Sequence, residues 1–147
     1  MNSLLRSAAA GVPLVILLAA GLQHFAHLAN LRRDLDAHDL FPASLILPVA
    51  VALGASEVAI GAGGLFAYAS GSTTLAARLL LAAASLYGAF AIYASVVLRV
   101  RPGVSCGCTG AGSRMSALIA IRATVLGALC WVAAVPRLSP SWIQPMN

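Results

Sequence analysis

The sequence predicts an all-α protein that crosses a lipid bilayer as a bundle of four transmembrane helices, in one domain spanning residues 1–147. Hydrophobic residues make up 61% of the chain and charged residues only 9%, and the mean hydropathy is +0.93. A soluble domain carries roughly 25% charged residues. A water-soluble fold of this length would need more polar surface than the chain can supply, so the composition favours a multi-pass membrane protein.

Four apolar runs are long enough to span the bilayer, because a spanning helix needs about 20 mainly apolar residues at about 1.5 Å each. They cover residues of about 8–28, 43–69, 75–98 and 117–135. Each run is apolar on all sides, whereas a helix on the surface of a soluble protein has one polar face. The runs therefore predict four helices that face lipid.

The segments between the runs predict the connections. Segment 30–42 holds the densest group of charges and is expected to be a loop. Segment 70–74 is short and polar, so the second and third helices should form an antiparallel hairpin. Close approach matters in lipid, where no hydrophobic drive joins helices. Because both of these helices are rich in glycine and alanine, we expect them to form the tight centre of the bundle.

All nine basic residues are arginines, and the net charge is +5. They are spread along the chain and are not clustered with aromatic residues, so we expect a lipid bilayer and no nucleic acid as the partner. The end of the bundle that holds the third connection carries more of them than the other end. The two groups are Arg32, Arg33, Arg99, Arg101 and Arg114 against Arg6, Arg78 and Arg137.

The most specific chemical motif is Cys106-Gly107-Cys108, in a glycine-rich segment just before the last helix. A disulfide between cysteines two residues apart needs a tight turn, which Gly107 permits. Such a bond closes almost no loop, so it would add little stability. Strained disulfides are more easily reduced, and nearby arginines and a helix N-terminus favour the reactive thiolate. The pair therefore predicts thiol–disulfide exchange.

Glu57 and Arg122 are charged residues inside predicted helices. An acid near the middle of a spanning helix costs a few kcal/mol, so it usually faces the bundle interior and has a role. For Glu57 we weigh proton handling, or contact with a quinone or a protein partner, against a structural hydrogen bond between helices. Arg122 is a candidate counter-ion that lies roughly 10 Å closer to the cysteine end.

Metal binding is an alternative use of the cysteines. His24 and His27 end the first helix on the cysteine side of the membrane. Two thiolates with two imidazoles could hold zinc, and the cysteine pair alone could hold Cu(I). Two histidines at this spacing are also compatible with simple packing. Cys130, beside Trp131 in the last helix, is expected to be a packing residue.

The combination of these motifs resembles the MauE family of methylamine-utilisation proteins, which is grouped loosely with DoxX-like membrane proteins. The matching residues are Glu57 and Gly61 in the second helix, the motif 106–108 followed by Gly110, and Arg122 in the last helix. The four-helix arrangement, with cysteines before the last helix, also resembles vitamin K epoxide reductase, a likeness of architecture alone.

The resemblance implies a redox-associated protein of the bacterial inner membrane that acts in the maturation of a disulfide-rich dehydrogenase. Its partner would be a thioredoxin-like protein or a disulfide-containing client. Cys106 and Cys108 would then be the catalytic pair, with Glu57 and Arg122 supporting them. No cofactor is firmly implied, although a quinone fits the chemistry.

Two questions stay open at the level of sequence. The alternatives to a redox protein are a non-enzymatic assembly factor or accessory subunit of a larger membrane complex, and a copper- or zinc-handling protein. The arginine distribution favours a cytoplasmic cysteine segment. Disulfide chemistry favours the opposite side, and the implied role leads us to expect the cysteines outside the cytoplasm.

Overall fold

The computed structural model describes residues 3–106 and 115–138, and every regular element in these residues is a helix. The helices are α1 (Ser3–Ala26), α2 (Leu28–His38), α3 (Ala43–Ala69), α4 (Thr73–Val100) and α5 (Ala117–Leu138). All but α2 are long and apolar enough to cross a membrane. The prediction of a four-helix transmembrane bundle is therefore confirmed.

Helix α2 corrects the expectation that residues 30–42 form a loop. Arg32, Arg33 and Asp36 lie on an exposed face, while Leu31 and Leu35 on the other face are buried in a cluster with Ile46 and Ala50 of α3. One apolar face at helical spacing is the pattern of an amphipathic helix. The many charged residues of the segment favour a loop in the sequence, although its apolar residues have helical spacing. As a result, α2 lies against the end of the bundle where α1 ends and α3 begins.

The closest helix pairs are α1 with α3 and α4 with α5, so the expectation of a tight α3–α4 centre is wrong. Gly54, Gly61 and Gly64 of α3 face α1, whereas Gly63 faces Leu79 of α4. A Cβ atom built on Gly61 would lie 2.7 Å from the backbone nitrogen of Leu18, and one on Gly64 would lie 2.7 Å from Leu14 Cδ2. Small residues do permit close approach in lipid, but here they serve the α1 interface.

The connection between α3 and α4 is the short polar turn that the sequence predicts. Gly71 has a φ of +73°, a left-handed conformation that glycine adopts without a steric penalty. The amide of Ser72 donates a hydrogen bond to the carbonyl of Ala67, which closes the end of α3. The two helices therefore follow one another across the membrane in opposite directions.

The main hydrophobic core lies between α1, α4 and α5. Leu14 and Leu17 of α1, Leu80 of α4 and Leu126 of α5 are all buried there. Cys130 is fully buried in the same core. Its position agrees with the packing role expected for it.

The close contact at Gly61 gives a matched test of the α1–α3 interface. Gly61→Ala should lower the free energy of unfolding by about 1–3 kcal/mol, because the new methyl group meets the backbone of Leu18. Gly88→Ala in α4 is the control, since a Cβ there meets no atom within 4 Å. Unfolding in mild detergent would compare the two variants. Equal stability of both would contradict the described interface.

Candidate functional site

A cavity of about 130 Å³ lies inside the bundle, towards the end covered by α2, and all five helices contribute to its wall. Most of the wall is apolar. The polar groups that reach it include His24 of α1, Glu57 of α3 and Arg122 of α5. Largely apolar cavities with a few convergent polar groups are the usual form of a small-molecule site, so this cavity is the candidate site.

The polar centre of the cavity is a hydrogen bond between α1 and α3. Nδ1 of His24 lies 2.6 Å from Oε2 of Glu57, and the two residues are only 3% and 1% exposed. Gly21, one turn before His24, makes this approach possible, because a Cβ there would lie 2.8 Å from Cβ of Glu57. The interhelix hydrogen bond considered for Glu57 is therefore present, and its partner is His24.

The second nitrogen of His24 is not satisfied by this bond. Nε2 is buried and has no hydrogen-bond partner among the described residues. Leaving a buried polar atom unpaired costs about 1–3 kcal/mol. Because His24 lines the cavity, a polar ligand bound there could form a hydrogen bond with Nε2.

Helix α2 holds the segment that leads to the cysteines. Nε2 of His38 lies 2.9 Å from the carbonyl oxygen of Ser105, and its Nδ1 lies 2.7 Å from the hydroxyl of Tyr93. One neutral tautomer satisfies both bonds, with Nε2–H donating to Ser105 and the Tyr93 hydroxyl donating to Nδ1. The Ser105 hydroxyl also donates to Asp34. These contacts, which we call the α2 clamp, fix the residue directly before Cys106.

Cys106 is 1% exposed and packs in a cluster with Ala94, Val97 and Met115. Ala94 and Met115 also line the cavity. The wall of the cavity and the packing around Cys106 therefore share side chains. Cys108, the other member of the predicted pair, lies outside the described residues, as do Gly107, Gly110 and Arg114.

Comparison with known proteins identifies the family. The model of the family described as "Methylamine utilisation protein MauE" matches residues 1–135. The chain belongs to the MauE family. No curated protein and no solved structure matches it. The wider grouping with DoxX-like proteins stays a prediction.

Arg122 of this MauE-family protein lines the same cavity as Glu57. Among the described residues of the cavity wall, it is the one whose side chain is exposed, so it marks where the cavity opens. The structure thus brings Glu57 and Arg122 to one site. Whether the arginine acts as a counter-ion stays a prediction.

Sequence reasoning did not single out the α2 clamp. His38 belongs to the segment 30–42, which the sequence predicts to be a loop, although it falls on the same helical face as Leu31 and Leu35, seven and three residues before it. That spacing is the signal that could have found it. Tyr93 is 55 residues from its partner His38, and Asp34 is 71 residues from its partner Ser105. No local sequence pattern can pair residues so far apart.

The two histidines proposed as weak metal ligands have different surroundings. His24 is buried beside Glu57, whereas His27 is exposed at the start of α2. Among the described residues, no group of three or more His, Cys, Asp or Glu side chains could hold a metal ion. His24 forms a hydrogen bond with Glu57, and its use as a metal ligand stays a prediction.

The His24–Glu57 bond should show strong energetic coupling. Glu57→Leu alone should lower the free energy of unfolding by about 1–3 kcal/mol, because it leaves the buried imidazole without a partner. Adding His24→Leu should recover much of this loss, since both polar groups are then gone. A double-mutant cycle measured by unfolding in detergent would quantify the coupling. Strictly additive losses would contradict the bond.

Proposed function

We propose that this protein is a membrane thiol–disulfide redox protein of the bacterial inner membrane. Cys106 and Cys108 would exchange electrons with a thioredoxin-like partner or a disulfide-containing client during protein maturation. The observation that carries the proposal is the packing of Cys106 against Ala94 and Met115, two residues of the cavity wall, directly after a serine that the α2 clamp holds in place. Membership of the MauE family supports an accessory role in methylamine utilisation.

The proposed exchange is balanced between the two partners. A thiolate of one partner attacks a sulfur of the other partner's disulfide, which forms a mixed disulfide and releases one thiolate. The remaining thiol of the attacking partner then displaces the second sulfur. The dithiol of one partner becomes a disulfide and the disulfide of the other becomes a dithiol, so two electrons and two protons pass from the first partner to the second.

The burial of Cys106 assigns the two steps of the exchange to different cysteines. Because Cys106 is only 1% exposed, a sulfur of a protein partner would meet Cys108 first. Cys106 would then resolve the mixed disulfide from the inner side. In this scheme Glu57 and Arg122 act from the cavity and support the inner cysteine.

The membrane orientation follows from the proposed chemistry. Disulfides persist outside the cytoplasm, so the α2 end of the bundle would face the periplasm and both termini the cytoplasm. The arginines at the α2 end oppose this orientation, because the positive-inside rule counts basic residues and largely ignores acids. Two of these arginines have partners within the protein: Arg101 forms an ion pair with Asp39, and Arg33 donates to the side chain of Asn30.

Mixed-disulfide trapping tests the proposal. The probe is a bacterial thioredoxin whose resolving cysteine is replaced by serine and whose remaining cysteine is activated as a disulfide with a small thiol. Cys106→Ser should accumulate the mixed disulfide, because Cys108 can attack but nothing resolves the product. Cys108→Ser should reduce the yield by about tenfold or more, since thiol exchange depends on access to the attacking sulfur. Cys130→Ser, in the buried core, is the matched control and should behave as the wild type.

Two results would count against the redox role. Equal yields from Cys106→Ser, Cys108→Ser and the double variant would mean that the trapped bond does not involve this pair. Co-purification with a membrane complex that survives the double replacement, together with full activity in cells, would favour the assembly-factor or accessory-subunit alternative.

A further inference from the structure

We propose that the cavity beside His24 binds the ring of a membrane quinone, which takes up the electrons of the inner cysteine. The inference rests on the proposed redox function for its direction of electron flow. Three features support the binding site itself: the cavity, the buried Nε2 of His24, which has no partner among the described residues, and the position of Arg122.

The cavity has the size and surface of an aromatic ring. An apolar protein cavity of about 150 Å³ is known to hold benzene, and this one measures about 130 Å³. Leu17 and Leu126 supply aliphatic wall, and Phe90 supplies an aromatic ring. A single six-membered ring matches this volume.

The His24–Glu57 pair is suited to a ligand that alternates between hydrogen-bond acceptor and donor. The pair holds a proton between Nδ1 and Oε2, 2.6 Å apart, while Nε2 has no partner among the described residues. When Nε2 carries hydrogen it can donate to a quinone carbonyl. When it does not, it can accept from a quinol hydroxyl. An ordinary apolar molecule would leave this buried nitrogen unpaired.

The opening at Arg122 favours a ligand that arrives from the bilayer. Arg122 is the fifth residue after Ala117, where α5 begins, so it lies roughly 7–8 Å inside the helix end by the α-helical rise. From this depth a long arginine side chain can extend towards the headgroups at the nearer helix end. A quinone ring can enter there while its tail stays in lipid.

The same cavity adjoins the packing around Cys106, because Ala94 and Met115 belong to both. The proposed reaction balances as two thiols and one quinone giving one disulfide and one quinol. The two sulfurs are oxidised, the quinone gains two electrons, and the two thiol protons end on its oxygens. The His24–Glu57 pair would pass one of these protons to the ring.

The test measures binding of decylubiquinone by equilibrium dialysis of the purified full-length protein at one fixed detergent concentration. Ala123→Leu fills the cavity without removing a polar group, because Ala123 is a buried residue of its wall. Ala128→Leu, on an exposed face of the same helix, is the matched control. We expect Ala123→Leu to weaken binding by about tenfold or more, which corresponds to about 1.4 kcal/mol, and Ala128→Leu to bind as the wild type. His24→Phe should also weaken binding, with His27→Phe as its control.

Equal binding to the wild type, Ala123→Leu and Ala128→Leu would overturn the inference, since the quinone would then only partition into the micelle. Cys106→Ser should bind decylubiquinone normally but form no quinol when the reduced thioredoxin-like partner is supplied. Loss of quinone binding in a protein that still traps the mixed disulfide would defeat the inference and leave the redox function intact. Normal binding in a wild-type protein that neither traps a partner nor forms quinol would support the site and defeat the redox function.

Discussion

The hydrogen bond between His24 and Glu57 is the interaction on which the rest of the bundle depends. Two polar side chains lie where lipid offers no hydrogen-bond partners, so each must be satisfied by the other. This need brings α1 and α3 together at one register, and Gly21 removes the Cβ that would block it. Nε2 of His24 is buried without a partner in the part of the chain that the structure describes, and His24 lines the cavity. The same bond that joins the helices therefore also places a polar atom at a largely apolar cavity.

The α2 clamp connects this chamber to the cysteine segment. His38 is held by Tyr93 of α4 and itself holds the carbonyl of Ser105, so a helix outside the bundle, a spanning helix and the residue before Cys106 share one hydrogen-bond chain. Both His38 and Tyr93 also line the cavity. A ligand in the cavity and a redox change at the cysteines would therefore act on the same small set of side chains. In the proposed function, this shared wall would couple thiol exchange to a small-molecule acceptor.

Hydrophobicity alone is sufficient to predict the four spans, because a membrane helix is recognisable from the length and composition of its apolar run. The interior position of Glu57 was also predictable, since an acid has no stable place against lipid. Its partner His24 was not, because the two are 33 residues apart and the local sequence does not record long-range pairing. The number of charged residues in segment 30–42 favours a loop, but the helical spacing of its apolar residues indicates an amphipathic helix, which is what α2 forms. The helix pairing was missed because small residues occur on several helices, and only the contacts show that those of α3 meet α1.

The most direct test of the redox account is labelling of Cys106 and Cys108 in intact cells with a membrane-impermeant maleimide, in a chain that carries Cys130→Ala. The account predicts that label enters the pair only after mild reduction, and Cys108 faster than the buried Cys106, which would mean a disulfide that faces the periplasm. Labelling that appears only after lysis, and without any reductant, would mean reduced thiols on the cytoplasmic side. That result would contradict the proposed disulfide exchange and the orientation that it requires.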